Sequence, residues 1–260
     1  MHMKSVLRTF FVLLIVFGRT SIAAPLPQYS DSDYEVSPYQ TQEGKKSFQR
    51  SLSGLYNVNS WTEQNITQPY SNFNQLYHAA THAQQELDLL AREIALHSNT
   101  QALVPAVKSE ERAKEKIKTE LQGETHRITD LARCSLVAND IPSLMQSLEL
   151  LNKEVSVVAV KNRFKSPTAS GYRDFKLLVR LPKSQVIAEV QLHLEAISTV
   201  KNGAEHKIYE EIQRIERTSM TEERNISEFE LAQIEKLRTE SLNLYQNAWQ
   251  QYLQPETIAV

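Results

Sequence analysis

The sequence predicts an α+β domain in which helices flank one mixed β-sheet. Apolar residues recur at helical spacing from about residue 72, form short strand-like runs between residues 131 and 194 with one helical stretch among them, and then return to helical spacing. Residues 172–182 and 184–194 form two alternating stretches separated by a short turn, which predicts an antiparallel hairpin. Of the 260 residues, 41% are hydrophobic and 23% are charged, which suits one sizeable globular core.

The N-terminal residues 1–23 predict a secretory signal peptide. Lys4 and Arg8 precede the apolar run FFVLLIVFG, and the small-residue stretch SIAAPLP places cleavage after Ala23. The apolar run is short for a membrane span. An uncleaved anchoring or amphipathic N-terminus is the alternative. We therefore expect a secreted or periplasmic protein that has no stable membrane insertion after signal cleavage.

Residues 24–70 predict a flexible polar lead segment before a domain at residues 71–255. Ser, Gln, Asn, Tyr and Pro dominate this segment, and no apolar periodicity persists in it. The formal net charge of −2 argues against broad electrostatic binding of DNA or of an anionic membrane. Cys134 is the only cysteine, so no disulfide can form within the chain.

Within the domain, each predicted element has its own pattern. Helices are predicted where apolar residues recur every three or four positions, at residues 73–96, about 104–122, 141–153 and 227–253. Strands are predicted where short apolar or alternating runs occur, at residues 131–138, 154–160, 172–182 and 184–194. The last helix is the longest at this end of the chain and closes the domain.

Alternation in the hairpin separates a core face from a polar face. The predicted core face carries these residues: Phe175, Leu177, Val179, Leu181, Val186, Ala188, Val190 and Leu192. The opposite face would display Tyr172, Lys176, Glu189, Gln191 and His193 together. A solvated polar face, common in antiparallel sheets, is the alternative to a binding site.

Two groups of basic residues could bind phosphate. Lys108, Arg112 and Lys116 recur at every fourth position, so one helix face would present all three cations. Their neighbouring glutamates offer the alternative of a solvated helix with internal ion pairs. Lys161 and Arg163 lead into the turn SPTASGY, where they could bind phosphate or belong to a soluble loop.

Two carboxylates complete the set of candidates. Asp130 stands directly before the strand at residues 131–138, and with Glu189 it would supply the carboxylates that a magnesium–phosphate complex needs. A turn or cap aspartate is the alternative for Asp130 alone. Strict alternation from Asp130 would place Arg133 on the opposite face, which makes Arg133 a weaker candidate. The sequence contains no glycine-rich phosphate loop, nucleophile elbow or zinc-binding pattern.

In this order, the motifs resemble the synthetase domain of RelA/SpoT-type alarmone synthetases over about residues 100–215. The matching motifs are K-x7-K, ITDLARCSLV, VKNRFKSPTASGYRD and IAEVQLHL. The resemblance implies a nucleotidyltransferase-like, largely antiparallel five-stranded sheet flanked by helices. It also implies transfer of the β,γ-diphosphate of ATP to the 3′-hydroxyl of GDP or GTP, with Mg²⁺ as cofactor and AMP as the second product.

The resemblance also implies roles for individual residues. It assigns phosphate binding to Lys108, Lys116 and Lys161, magnesium binding to Asp130, base stacking to Tyr172, and both activation of the 3′-hydroxyl and metal contact to Glu189. Arg112, Arg163, Lys176, Gln191 and His193 complete the expected nucleotide-binding set. If only the ring face of Tyr172 matters, then Tyr172→Phe should be nearly silent.

The sequence departs from the family pattern at three positions. Lys176 stands where the family usually has a histidine, His193 where it has an arginine, and Thr168 where many members have a lysine. These differences affect the acceptor and the phosphate contacts more than the fold. The chain lacks the HD-type hydrolase motif and a long regulatory C-terminus, which indicates a small synthetase with one activity.

The predicted export signal raises two alternatives to an alarmone synthetase. One is a toxin or effector that acts inside a recipient cell on adenine nucleotides or on an RNA 3′ end. The other is a catalytically inactive nucleotide-binding module. Retention of Asp130 and Glu189 favours an enzyme, because loss of metal-binding carboxylates is a simple route to inactivity. The sequence leaves the acceptor and the oligomeric state open.

Overall fold

A computed structural model describes residues 42–253 of the protein. These residues form a six-stranded mixed sheet with helices around it. The strands are β1 (Trp61–Thr62), β2 (Thr100–Leu103), β3 (Arg133–Ala138), β4 (Ser156–Asn162), β5 (Phe175–Arg180) and β6 (Ile187–Leu194). Their order across the sheet is β1-β4-β5-β6-β3-β2. The β3–β6 pair is parallel, and the other four neighbouring pairs are antiparallel.

Helices flank this sheet. They are α1 (Gln42–Asn57), α2 (Phe73–Ser98), α3 (Glu110–Glu120), α4 (Ile141–Glu154), α5 (Glu195–Asn202), α6 (Ala204–Thr221) and α7 (Glu228–Gln250). Ser227 caps α7 and exchanges hydrogen bonds with Glu230 in a capping box, which explains where the long C-terminal helix begins. In the described part of the chain, no helix is long and apolar enough to cross a bilayer.

The predicted mixed, largely antiparallel sheet is confirmed, but the five-strand count is wrong. The pattern of apolar residues indicated β3, β4, β5 and β6, including the β5–β6 hairpin. The two strands that the pattern did not reveal lie at the sheet edges. β1 has only two residues, paired with Val160 and Ala159 of β4, and β2 has four. Strands this short carry too few residues to show alternation.

Part of the predicted flexible lead segment is instead a helix. Phe48, Leu52 and Leu55 of α1 recur at helical spacing and pack on the main core, where Leu55 is fully buried. The prediction of a flexible segment is therefore wrong for residues 42–57. Residues 24–41 and the predicted signal peptide lie outside the described residues.

One face of the sheet is apolar and forms the main core. All eight residues that alternation assigned to the core face of the hairpin have no exposed surface. Cys134 and Leu136 of β3 lie in the same cluster. α2 and α4 contribute Leu87 and Leu148, among others, to this cluster and so cover the face. The opposite face is thereby left to the polar side chains.

A second, smaller cluster holds α3 against α2. Leu76 and Ala80 of α2 pack with Ala113 and Ile117 of α3 and with Leu131. This packing fixes α3 beside the segment that leads into β3. The cations of α3 and the carboxylate of Asp130 are therefore held close together by apolar contacts.

Candidate active site

The polar face of the sheet aligns side chains from four strands. The register pairs Lys161 with Lys176, Lys176 with Gln191, and Gln191 with Ser135, so one row crosses β4, β5, β6 and β3. Glu189 lies two residues before Gln191 and points to the same face. The structure thus places Lys176, Gln191 and Glu189 together, as the alternation in the hairpin predicted, and it adds Lys161 from β4.

Arg133 also belongs to this face, which corrects its placement from the sequence. In the parallel β3–β6 pair, Arg133 lies opposite Glu189. Strict alternation from Asp130 fails because β3 begins only at Arg133 and the two intervening residues form a bend. Arg133 is partly buried, and its Nε is buried without a hydrogen-bond partner among the described residues.

The carboxylate of Glu189 is held by two donors and is only 7% exposed. The Nζ of Lys176 lies 2.5 Å from Oε2, and the Nε2 of Gln191 donates to Oε1 at 2.9 Å. Lys201 on α5 extends this chain, because its Nζ donates to the Oε1 of Gln191 at 2.9 Å. Sequence reasoning missed Lys201, since a single lysine in a helical stretch carries no signal.

Asp130 gathers two lysines on one oxygen. The Nζ atoms of Lys108 and Lys116 lie 2.7 and 2.8 Å from Oδ2. Lys108 precedes α3, which begins at Glu110, so the predicted three-cation helix face is wrong. Lys108 reaches Asp130 because its backbone N–H donates to the carbonyl of Leu131. Arg112 is exposed on α3 and takes no part in the pairs at Asp130.

The environment of Asp130 keeps its carboxylate ionised. Burial alone would raise the pKa of Asp130, but hydrogen bonds from Lys108 and Lys116 and their positive charges outweigh burial. The pKa of Asp130 therefore lies below its ordinary value of 3.8. The second oxygen, Oδ1, is buried and has no hydrogen-bond partner among the described residues. Its lone pairs are free to accept from a ligand.

These residues could hold Mg²⁺ only together with a substrate phosphate, which would supply some of the ligands of the ion. The described residues contain no group of three or more metal-ligating side chains that could hold an ion. Mg²⁺ commonly binds through one or two carboxylates and takes its other ligands from water and substrate phosphates. The partnerless Oδ1 of Asp130 fits one such position, and Glu189 offers a second once its lysine has moved.

Tyr172 is anchored through its hydroxyl. The hydroxyl donates to the Oδ2 of Asp174 at 2.8 Å and lies 2.7 Å from the Nε2 of His193. Asp174 has no exposed surface and accepts a second bond from the Nη1 of Arg163 at 2.7 Å. The guanidinium of Arg163 and the ammonium of Lys201 lie over the Tyr172 ring, 5.7 and 5.8 Å from its centre.

The protons in this network can be assigned by counting donors. The tyrosine hydroxyl has one proton, which it donates to the Oδ2 of Asp174, so the Nε2–H of His193 donates to the Tyr172 oxygen. Burial, followed by the charges of Lys201 and Arg163, lowers the pKa of His193 to about 3. His193 is therefore neutral near pH 7. With 1% exposure, it is not placed to contact a nucleotide directly.

The glycine before Tyr172 serves packing against α7. Gly171 has φ of +82°, and a Cβ there would lie 3.0 Å from Leu242 Cδ1 and 3.3 Å from Tyr245 Cβ. A side chain at this position would be strained by the positive φ, and it would also collide with α7. The ring of Tyr245 also lies edge-on to Tyr172, with centres 5.5 Å apart. The turn thus holds Tyr172 against α7.

Two buried glutamines brace the segments that carry the charged groups. Gln68 bonds both the N–H and the carbonyl of Ile187, and its amide also donates to the carbonyl of Ile128. Gln84 bonds both the N–H and the carbonyl of Arg133, and its amide also donates to the carbonyl of Pro105. Each amide uses both N–H donors and its oxygen. Gln68 thus ties the segment before Asp130 to β6, and Gln84 ties the segment before Lys108 to β3.

The structure changes the expectation for Tyr172→Phe. Loss of the hydroxyl removes a donor from the fully buried Asp174 and an acceptor from His193. We expect Tyr172→Phe to lower the free energy of unfolding by about 1–3 kcal/mol, the usual cost of an unsatisfied buried polar group. Urea denaturation followed by circular dichroism measures this change.

Tyr56→Phe is the matched control for that measurement. Tyr56 is 36% exposed, and its hydroxyl has no hydrogen-bond partner among the described residues. Its loss should change the free energy of unfolding by less than about 0.5 kcal/mol. Equal stability of the two variants would show that the hydroxyl of Tyr172 contributes nothing to the fold.

Comparison with protein-family models gives no match, and comparison with curated proteins gives none either. Solved structures do match. Small alarmone synthetase 2 from Bacillus subtilis is 20% identical, with a TM-score of 0.52; the match covers 68% of this chain and 92% of that one.

Two other matches have lower TM-scores. The Type VI effector Tas1, solved with its immunity protein, is 22% identical at a TM-score of 0.49, over 67% of this chain and 96% of that one. Small alarmone synthetase 1 from Bacillus subtilis, bound to its product pppGpp, is 17% identical at 0.49, over 68% and 91%. The match to synthetase 2 shows that the described chain has the fold of an alarmone-synthetase-type domain.

Proposed function

We propose that the protein is a pyrophosphokinase that transfers the β,γ-diphosphate of ATP to the 3′-hydroxyl of a guanosine nucleotide. One observation carries this proposal: two carboxylates, Asp130 just before β3 and Glu189 on the neighbouring strand β6, each sit among cations. The fold shared with small alarmone synthetase 2 supports it. Transfer of a phosphate chain depends mainly on positioning and charge neutralisation, and this face offers both.

The Asp130 cluster is the proposed site for the ATP phosphates. Lys108 and Lys116 bring two ammonium groups to one carboxylate, which leaves excess positive charge for phosphate oxygens. When ATP binds, the lysines would exchange part of their contact with Asp130 for phosphate. Mg²⁺ bound to the triphosphate through Asp130 would supply charge neutralisation at the reacting phosphates.

Glu189 is the proposed general base for the acceptor hydroxyl. In the resting structure, both of its oxygens accept from donors. Lys176 can move away from Glu189, because the lysine side chain is 32% exposed whereas the glutamate side chain is only 10% exposed. Lys176 would turn from Glu189 to a phosphate oxygen on substrate binding, which frees Oε2 to take the proton. Gln191 keeps the carboxylate oriented through Oε1.

The acceptor base is proposed to stack on Tyr172. The ring is partly buried and fixed by its hydroxyl, so little side-chain entropy is lost on binding. Arg163 and Lys201 lie over the ring, and one of them would have to give way to the base. Stacking tolerates any base, so this contact alone does not select guanine.

A nucleotide-binding module without turnover is the second candidate. The pairing of lysines with both carboxylates favours it, because such pairs neutralise the groups that catalysis needs. Turnover separates the two candidates. A catalyst must open these pairs when substrates bind, whereas a binding module can keep them closed.

Incubation with labelled ATP and a panel of acceptors tests the proposal. The panel is GDP, GTP, ADP, ATP and tRNA, each as the sole acceptor. We expect label transfer to GDP or GTP. Transfer to ADP, ATP or tRNA alone would favour the alternative acceptors, and binding without transfer to any of them would favour the inactive module.

A further inference from the structure

Lys201 differs from the other lysines around the two carboxylates. Its Nζ makes one hydrogen bond, to the amide oxygen of Gln191, and lies within 4 Å of no carboxylate oxygen in the described part of the chain. By contrast, Lys108 and Lys116 are paired with Asp130, and Lys176 is paired with Glu189. An ammonium group has three donors, so two donors of Lys201 are unused.

Lys201 is also partly buried, which makes its unpaired charge costly. Burial lowers the pKa of Lys201, the charges of Asp174 and Glu189 oppose this, and the charges of Arg163 and Arg133 add to it. A partly buried cation is stable only when some partner offsets its lost hydration. Gln191 and the ring of Tyr172 are both neutral partners and offset only part of it. A bound anion would therefore stabilise the charged form of Lys201.

Arg133 has the same property on the neighbouring strand. It lies opposite Glu189 in the β3–β6 register, yet it forms no ion pair within the described residues. Its Nε is buried without a hydrogen-bond partner there. Arg133 and Lys201 lie near each other, because Arg133 is opposite Glu189 while Lys201 bonds to Gln191, two residues further along β6. Two cations without ion-pair partners repel each other, and an anion bound between them would offset this repulsion.

We propose that Lys201 and Arg133 together bind a phosphate group of a nucleotide substrate. This inference rests on the proposed function and goes beyond it, because it adds a phosphate-binding pair to the cations at Asp130. An ammonium and a guanidinium are both strong donors to phosphate oxygens. The bond from Lys201 to Gln191 would hold the ammonium in place until the phosphate arrives.

Calorimetric titration of inorganic pyrophosphate, GDP, guanosine and a non-hydrolysable ATP analogue tests the pair. Lys201→Gln should weaken pyrophosphate binding at least tenfold, which corresponds to about 1.4 kcal/mol. Lys201→Arg keeps the charge and should stay within about threefold of the wild type. Guanosine lacks a phosphate, so its binding should not change. The nucleotide whose binding to Lys201→Gln is weakened more, GDP or the ATP analogue, is the one that the pair contacts.

A double-mutant cycle tests whether the two cations act on the same phosphate. If they do, Lys201→Gln and Arg133→Gln should not be additive in pyrophosphate affinity. Lys207→Gln, an exposed lysine on α6, removes the same charge and should leave pyrophosphate affinity unchanged. Melting curves from circular dichroism confirm that each variant is folded.

The outcomes separate this inference from the proposed function. If GDP is pyrophosphorylated but Lys201→Gln binds pyrophosphate like Lys207→Gln, the phosphate-binding pair is wrong and the enzyme stands. If pyrophosphate binding depends on Lys201 but no acceptor is pyrophosphorylated, the pair stands and the enzyme is wrong. Equal weakening of guanosine and pyrophosphate binding would overturn the pair, because it would indicate a general structural effect.

Discussion

Replacing Glu189 by Gln is expected to lower the rate of pyrophosphate transfer by about 10²–10⁴-fold, the usual contribution of a general base. Glutamine fills the same space and can still accept a hydrogen bond from Gln191, but it cannot take a proton. Lys176 would lose its partner, at small cost, because its side chain is about one third exposed. Steady-state transfer rates and a thermal melt measure the two effects separately.

Glu149→Gln is the matched control. Glu149 lies exposed on α4, which covers the opposite face of the sheet, so the same charge change there should leave the rate unchanged. A Glu189→Gln variant that keeps more than about a tenth of the wild-type rate would remove Glu189 from the role of base.

Replacing Asp130 by Asn is expected to reduce both activity and stability. Lys108 and Lys116 would then face each other without a carboxylate between them. Loss of one preorganised charged group typically costs about 10²-fold in rate. We expect the free energy of unfolding to fall by about 1–3 kcal/mol, less than for a fully buried pair, because Lys116 is a quarter exposed.

The pH dependence identifies the carboxylate as the cause. The folded pKa of Asp130 lies below 3.8, so its stabilising contribution is complete above that value and disappears as the pH falls through the folded pKa. The stability difference between the wild type and Asp130→Asn should therefore narrow below about pH 4. Asp88→Asn, which removes a surface pair with Arg92, should cost less than about 1 kcal/mol. A difference for Asp130→Asn that is no larger than this control would contradict its role.

Local patterns predicted the centre of the sheet well. Strict alternation in residues 172–194 identified both the core face and the polar face, because every second side chain in a strand shares a side. The sequence therefore predicted correctly that Lys176, Glu189 and Gln191 share one face of the sheet. β1 and α1 were missed because one is two residues long and the other lies in a polar stretch.

The electrostatics of the site could not be predicted from spacing. Lys201 reaches Gln191 from the helix after β6, and Arg133 reaches the polar face because a bend interrupts the count from Asp130. The bonds of Asp174 to Arg163 and Tyr172 depend on how the turn packs against α7. Contacts of this kind arise from tertiary packing, which a linear pattern does not encode.

The release of AMP from ATP distinguishes pyrophosphate transfer from other reactions of ATP. Purified protein is incubated with ATP and either GDP or 3′-deoxy-GDP, and AMP and ADP are quantified over time. Pyrophosphate transfer predicts AMP in equal amount to the pyrophosphorylated product with GDP, and none above background with 3′-deoxy-GDP, which lacks the accepting hydroxyl. Release of ADP, or release of AMP at the same rate with either nucleotide, would contradict pyrophosphate transfer to a 3′-hydroxyl.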